Sequence, residues 1–180
     1  RVSKFAEWHD RMDGKVKLTV NSSADGWADI LEIKATGYVS TMYYFASPDP
    51  ATYAPRDNSI GIVSTSSLTL LANIAMVTVD PTRGILSYTA SDCSLFALRN
   101  AKAEVDTQDA KSVTAFLIDG LPKTDVAGTD SSGRGVIVNV PPGPATTTST
   151  FLPDNTVFGT QPTHLRAGYI TVQRSVATPK

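Results

Sequence analysis

Ile74-Ala75-Met76-Val77-Thr78-Val79-Asp80-Pro81-Thr82-Arg83-Gly84-Ile85-Leu86-Ser87-Tyr88 is the stretch on which the fold reading turns. Two runs of apolar and β-branched residues flank a polar break. Pro81 fixes φ for a type I turn, and Gly84 is available for the positive φ that closes such a turn with a bulge. The pattern predicts a β-hairpin with arms at 74–79 and 85–88.

Working outward, the same period of two recurs. Lys15-Val16-Lys17-Leu18-Thr19-Val20 alternates, and with a strand over 27–34 that buries Ile30, Leu31 and Ile33 it predicts a second hairpin. The aromatic run 37–45 is extended until Pro48 and Pro50, which cannot donate to a ladder. Short strands are expected at 60–63, 68–71, 94–98 and 101–105. Residues 111–118 read as a strand buried on both faces, and 119–132 as a polar, turn-rich stretch. A strand over 136–140 is broken by Pro141-Pro142-Gly143-Pro144, and strands over 147–152 and 164–176 finish the chain. In the last of these Ile170 and Val172 share one face, with Tyr169, Thr171 and Gln173 on the other. The one expected helix spans 1–14, with Ser3 as N-cap, Phe5, Trp8 and Met12 at helical spacing, and Gly14 as the stop.

Roughly ten short strands with frequent turn signals, and no alternation with helices, predict an all-β fold. It reads as an antiparallel β-sandwich or a jelly-roll-like barrel with a short N-terminal helix docked on it. The length of 180 residues predicts a single domain over 1–180. A globule of that size buries roughly 70% of its unfolded surface, so it needs neither disulfide nor metal. Charged residues make up only 18%, with Ser and Thr in their place, as in Thr146-Thr147-Thr148-Ser149-Thr150. Beginning at Arg1 rather than Met, and without a signal peptide, the chain reads as a processed product or an excised fragment.

Charge and composition exclude several classes of function. Sixteen basic residues against seventeen acidic ones give a net charge of −1, with no basic cluster longer than 11–17. Displacing the counterions of nucleic acid needs more cation than that, so no nucleic-acid partner is expected. No run approaches the ~18 to 20 apolar residues that span a bilayer. The lone Cys93 forms no internal disulfide framework and no Cys-based zinc site, and it reads as a small strand residue.

Candidates for chemistry are few. Ser131 or Ser132, His164 as base and Asp125 or Asp154 would compose a triad, but no Gly-x-Ser-x-Gly elbow surrounds the serines. His9 and Asp10 are adjacent on the expected helix and so do not face each other. Glu32, with Trp27 and Asp29 near it in sequence, is the nearest approach to a glycosidase carboxylate. Residues 125–130 carry Asp125, Thr129 and Asp130 but lack the dense oxygen pattern of a calcium loop. Asn21-Ser22-Ser23 fits the glycosylation sequon. No catalytic residue, cofactor or metal is expected.

Many short strands, long loops rich in Pro, Ser, Thr and Gly, low charge and an N-terminus cut from a longer chain resemble the capsid proteins of small icosahedral RNA viruses. The resemblance implies a projecting domain, or a shell domain without its basic arm, located in the virion. It implies self-association as dimers or trimers and contact with a cell-surface receptor or glycan, through 48–58, 119–135 and 141–160. A carbohydrate-binding or adhesin-like module of a secreted protein is the alternative, with Trp27, Tyr43 or Tyr53 as stacking platforms. A small secreted hydrolase is the third.

Overall fold

The structure, a computed structural model, describes residues 30–44 and 61–177. Expectations for the 1–14 helix, the 15–20 strand and hairpin, Trp27, Tyr53 and the loop 48–58 lie outside the described residues.

Among the described residues ten strands and one helix follow in chain order: β1 (Ile30–Ile33), β2 (Ser40–Tyr44), α1 (Thr65–Ile74), β3 (Gly84–Ser91), β4 (Ala101–Val105), β5 (Val113–Ile118), β6 (Leu121–Lys123), β7 (Arg134–Val140), β8 (Gly143–Phe151), β9 (Thr156–Leu165) and β10 (Tyr169–Val176). They form a seven-stranded sheet in the order β1-β2-β10-β3-β7-β5-β6 and a three-stranded sheet in the order β4-β8-β9. The small sheet packs over the middle of the large one, β9 against β10 and β4 against β3 and β7. The all-β, sandwich-like reading holds. The sheet is mixed rather than purely antiparallel, because β10 inserts between β2 and β3 and runs parallel to both.

The expected hairpin over 74–88 is half present. Its turn forms, with the Arg83 amide donating to the Asp80 carbonyl at 3.0 Å, and its second arm is β3. Gly84 closes nothing with positive φ. It opens β3 at a close approach, where a methyl would stand 3.0 Å from the Arg166 carbonyl oxygen. The first arm is no strand. Ile74 ends α1, Ala75 and Met76 form its closing turn with Met76 at φ 56°, and residues 77–79 follow without a backbone ladder.

That helix replaces the strand expected at 68–71. Ser64 caps it in extended conformation, accepting the Ser67 amide at 3.0 Å. Leu68, Leu71, Ala72 and Ala75 follow at helical spacing and are its half-buried positions. Leu68, Val77 and Val79 roof the outer face of the large sheet, packing with Val39, Val63, Val136 and Val172 around buried Ile85, Val138 and Ile170.

Between the sheets the interior has two halves of different chemistry. One is apolar: Leu86, Tyr88, Ala103, Val105, Phe116, Ile137, Val140 and Leu165. Each large side chain there contributes about 1.5–3 kcal/mol by leaving water. The other is polar, formed by Thr147 and Ser149 of β8, Thr163 of β9, and Thr171, Gln173 and Ser175 of β10, all buried. Ile170 and Val172 do share the outer face, as the alternation predicts, and the polar face of β10 turns inward.

Remaining differences are local. Ile30, expected inside, is 43% exposed on β1, the outermost of the described strands on that side of the sheet. The strand expected at 94–98 is a loop held by one isolated bridge, Ser91 to Ala97. No strand forms at 61–63. The strand expected over 164–176 begins only at Tyr169, after a turn with Gly168 at φ 72°, and residues 156–165, reaching into the expected contact stretch 141–160, form the long strand β9. The break at 141–144 is shorter than expected, since β8 begins at Gly143.

One threonine pins the strand entrance at 98–101. Thr129, 2% exposed, donates through Oγ1 to the Leu98 carbonyl at 2.7 Å and accepts the Ala101 amide at 3.0 Å. Thr129→Val keeps the shape and removes both bonds, leaving a buried amide unmatched. It is expected to lower stability by about 1–3 kcal/mol, read as a drop in the urea midpoint.

Candidate functional site

The triad candidates do not converge. His164 lies where β10 begins: its carbonyl accepts the Thr171 hydroxyl at 3.4 Å, and Thr171 pairs with Leu86. Ser131 and Ser132 precede Gly133, whose carbonyl accepts the Ala90 amide, four residues further along β3. At ~3.3 Å per residue that is about 13 Å along the strand. Asp154 lies in the β8–β9 turn, with Thr156 opening β9 and His164 near its close. Eight residues of strand separate those two, about 26 Å.

The acidic loop is used structurally. The Asp130 carboxylate accepts the Ser132 amide at 2.8 Å and the Asp119 amide at 3.0 Å. Hydrogen bonds from Ser132 and then from Asp119 hold its carboxyl below the usual range. Among the described residues no three His, Cys, Asp or Glu side chains gather as metal ligands. No helix there is long and apolar enough to cross a membrane.

Where β2, β3 and β10 begin, two features share one end of the large sheet. On the inner side Glu32 Oε1 accepts from the Tyr169 hydroxyl at 2.9 Å, Lys34 Nζ at 3.1 Å and Arg166 Nη1 at 3.2 Å. Both cations also stand over the Tyr169 ring, at 5.7 and 5.8 Å from its centre. The Tyr169 hydrogen bond first, then Lys34 and Arg166, hold the Glu32 carboxyl below its ordinary value. Its contribution is therefore present at neutral pH and fades as acid protonates it. The partners of Glu32 are cations and a phenol, an ion cluster rather than a glycosidase pair.

On the outer side a groove of about 300 Å³ opens between α1, the 79–83 turn and the sheet, floored by Val39, Leu68, Val79 and Ile85. This is the lower limit of small-molecule sites. Arg83 at its rim is already committed, with Nη2 2.7 Å from both Asp109 carboxylate oxygens and Nε donating to the Asn139 carbonyl at 2.6 Å. Tyr43, expected as a sugar platform, is half-buried with its hydroxyl donating to the Gly61 carbonyl, and burial pushes its phenol up.

At the opposite end, where β3 and β10 finish, the loop 92–99 presents apolar side chains on a locked backbone. The Asp92 carboxylate accepts the amides of Ser94 and Phe96, each at 2.9 Å, while the Asp92 amide donates to the Phe96 carbonyl at 2.8 Å. The Leu98 amide donates to Ala90. Held this way, Leu95 sits at φ 67°, a conformation that bulky residues rarely adopt. Its side chain is 45% exposed, and that of Phe96 72%. Cys93, read from the sequence as a strand residue, is instead exposed in this same loop.

The loop was hidden in the sequence because Ser94 to Leu98 resembles a short strand. Its readable signal was Asp92-Cys93-Ser94, an Asx turn in which the carboxylate bonds the amide two residues on. The expected contact surface 119–135 is interrupted by β6, and the 124–133 loop that remains reaches the same end: the Gly133 carbonyl holds Ala90, and the Thr129 carbonyl holds Asn100. No protein-family model matches the chain, and no curated protein is similar to it in sequence.

Proposed function

We propose that this chain acts by contact rather than by bond-breaking, presenting the loops 92–99 and 124–133 from a rigid sandwich to a protein surface, in the first instance that of a second copy. The observation that carries the reading is Leu95. A strained backbone held by hydrogen bonds points to use when the side chain it presents contributes nothing to the fold. Leu95 at 45% and Phe96 at 72% exposure keep much of their apolar surface in water, yet Asp92 fixes both in place. Pre-ordered aromatic and aliphatic anchors of this kind are what association rewards, since little freedom remains to lose.

The capsid-surface setting, with assembly in the particle and attachment to a receptor, is one in which such a module would work. It rests on the compositional resemblance alone. The carbohydrate-module reading is weaker, because Tyr43 is committed to packing.

Two substitutions separate contact from folding. Leu95→Asn places a residue that tolerates positive φ, so stability is expected to rise by about 0.5–1 kcal/mol in urea. Phe96→Ser leaves the loop backbone intact. In a light-scattering concentration series the unaltered chain is expected to self-associate, and both variants to weaken that association at least about tenfold, some 1.4 kcal/mol. A chain that stays monomeric throughout, or associates equally well without Phe96, overturns the reading.

A further inference from the structure

The polar half of the interior leaves two groups without protein partners. Gln173 is 2% exposed and Thr163 5% exposed, and neither Gln173 Nε2 nor Thr163 Oγ1 has a hydrogen-bond partner among the described residues. The positions around them are well tied. Ser149 Oγ and Ser175 Oγ are 2.8 Å apart. Gln161 Nε2 donates to the Arg174 carbonyl at 3.0 Å and to Ser175 Oγ at 3.4 Å. Thr171 Oγ1 donates to the His164 carbonyl at 3.4 Å.

Those cross-sheet bonds set the alignment of β9 on β10. Gln161 lies beside 174 and 175, and His164 beside 171, so Thr163 falls beside 172 and 173. The two orphan groups are thus neighbours across the sheets, separated by more than a direct hydrogen bond. Thr147 Oγ1 donates to Gln173 Oε1 at 3.4 Å, which assigns the amide oxygen to β8 and leaves the two N–H groups to face elsewhere.

We infer that a water molecule is bound between Gln173 Nε2 and Thr163 Oγ1, inside the polar half of the sandwich. Such a water accepts from the amide and donates to the hydroxyl. This is the usual way that buried polar groups beyond direct reach of each other are satisfied. The alternative, two unmatched polar groups in a dry interior, forfeits the hydration of both with nothing in return. The chemistry here selects water over an apolar guest, because both groups at the gap need hydrogen bonds.

The test is solution NMR on the isotope-labelled 180-residue chain. Water-selective NOE and ROE spectra are expected to show cross-peaks of opposite sign between water and the Gln173 side-chain amide protons, the mark of a long-lived bound water. Thr163→Val is expected to abolish them while the methyl shifts of Leu165 and Ile170 stay in place. Thr163→Ser, which retains the hydroxyl, is expected to keep them, and it serves where the valine variant does not fold. Absence of the cross-peaks in the unaltered chain overturns the inference. Their persistence at full intensity in folded Thr163→Val also overturns it, as does their loss in folded Thr163→Ser.

Discussion

Gly135→Ala is expected to destabilise the fold by about 3 kcal/mol, near the top of the usual range for overpacking. With a urea dependence of about 1–3 kcal/mol per molar, the midpoint falls by at least ~1 M. Gly135 on β7 pairs with Tyr88 on β3. The same inward-facing row runs through Tyr44, Gln173, Tyr88, Gly135 and Phe116. The Tyr88 ring occupies the place that a side chain at 135 would take. A methyl built there overlaps Oη and Cζ and comes within 2.7 Å of Cε1. Tyr88 cannot step aside, being 1% exposed in the apolar half of the core.

The contact geometry also says what rescues the variant. Removing the hydroxyl with Tyr88→Phe leaves Cζ and Cε1 in the way, so little stability returns. Tyr88→Leu empties the space. Its own cost, about 2–4 kcal/mol for a truncated buried aromatic, is expected to be largely non-additive with that of Gly135→Ala, and a double-mutant cycle is expected to show coupling of more than about 1 kcal/mol. A Gly135→Ala midpoint equal to that of the unaltered chain contradicts this packing.

Tyr88 and Gly135 illustrate which parts of the fold were legible. Strands β4, β5 and β7 lie where the sequence pattern places them, β8 and β10 overlap the strands expected there with shifted starts, and the two faces of β10 divide as read. The pattern cannot tell which face is inside when neither is uniformly apolar. Thr171, Gln173 and Ser175 look like a solvated row, yet they are buried against Thr147 and Ser149. The Thr-rich run of β8 was visible as composition, and only the stacking of the sheets gives it a place in the core.

Strand order was also outside the sequence pattern. Period-two alternation fixes that β10 has two faces, and it is silent on whether β10 lies parallel between β2 and β3. In α1 the competition was local. Leu68, Leu70 and Leu71 form a short apolar run that suits a strand, whereas Ser64 as cap and Leu68, Leu71 and Ala75 at spacings of three and four carry the helical signal. At the candidate contact surface, the 124–133 part of the expected loop 119–135 was legible from its turn residues, whereas β6 inside it was not. Its neighbour at 92–99 was not, because Leu95 and Phe96 imitate core residues.

Asn139→Ala is expected to lower stability by about 3 kcal/mol, and it tests why residues 77–79 imitate a strand without being one. Asn139 is 7% exposed and sits at φ 60°, where the register of β7 on β3 slips by one residue. Its side-chain oxygen accepts the Asp80 amide at 2.8 Å and its side-chain nitrogen donates to the Thr78 carbonyl at 2.8 Å. The carboxamide thus does for 78–80 what the peptide group of a neighbouring strand would do. An extended stretch is held on the sheet without a ladder, which is why its sequence reads as a hairpin arm.

Alanine removes both bonds, each about 1–3 kcal/mol where a buried group is left unmatched, and adds the cost of a β-carbon at positive φ. Asn139→Gly removes the bonds without the backbone cost, so it is expected to fall between, roughly 1 kcal/mol milder than alanine. Amide hydrogen exchange gives the local readout: the Asp80 amide is expected to lose protection in both variants, while Ile85 and Leu86 in β3 remain slow. Retained protection at Asp80 in Asn139→Gly means that another acceptor holds this segment, and the account of the missing strand fails with it.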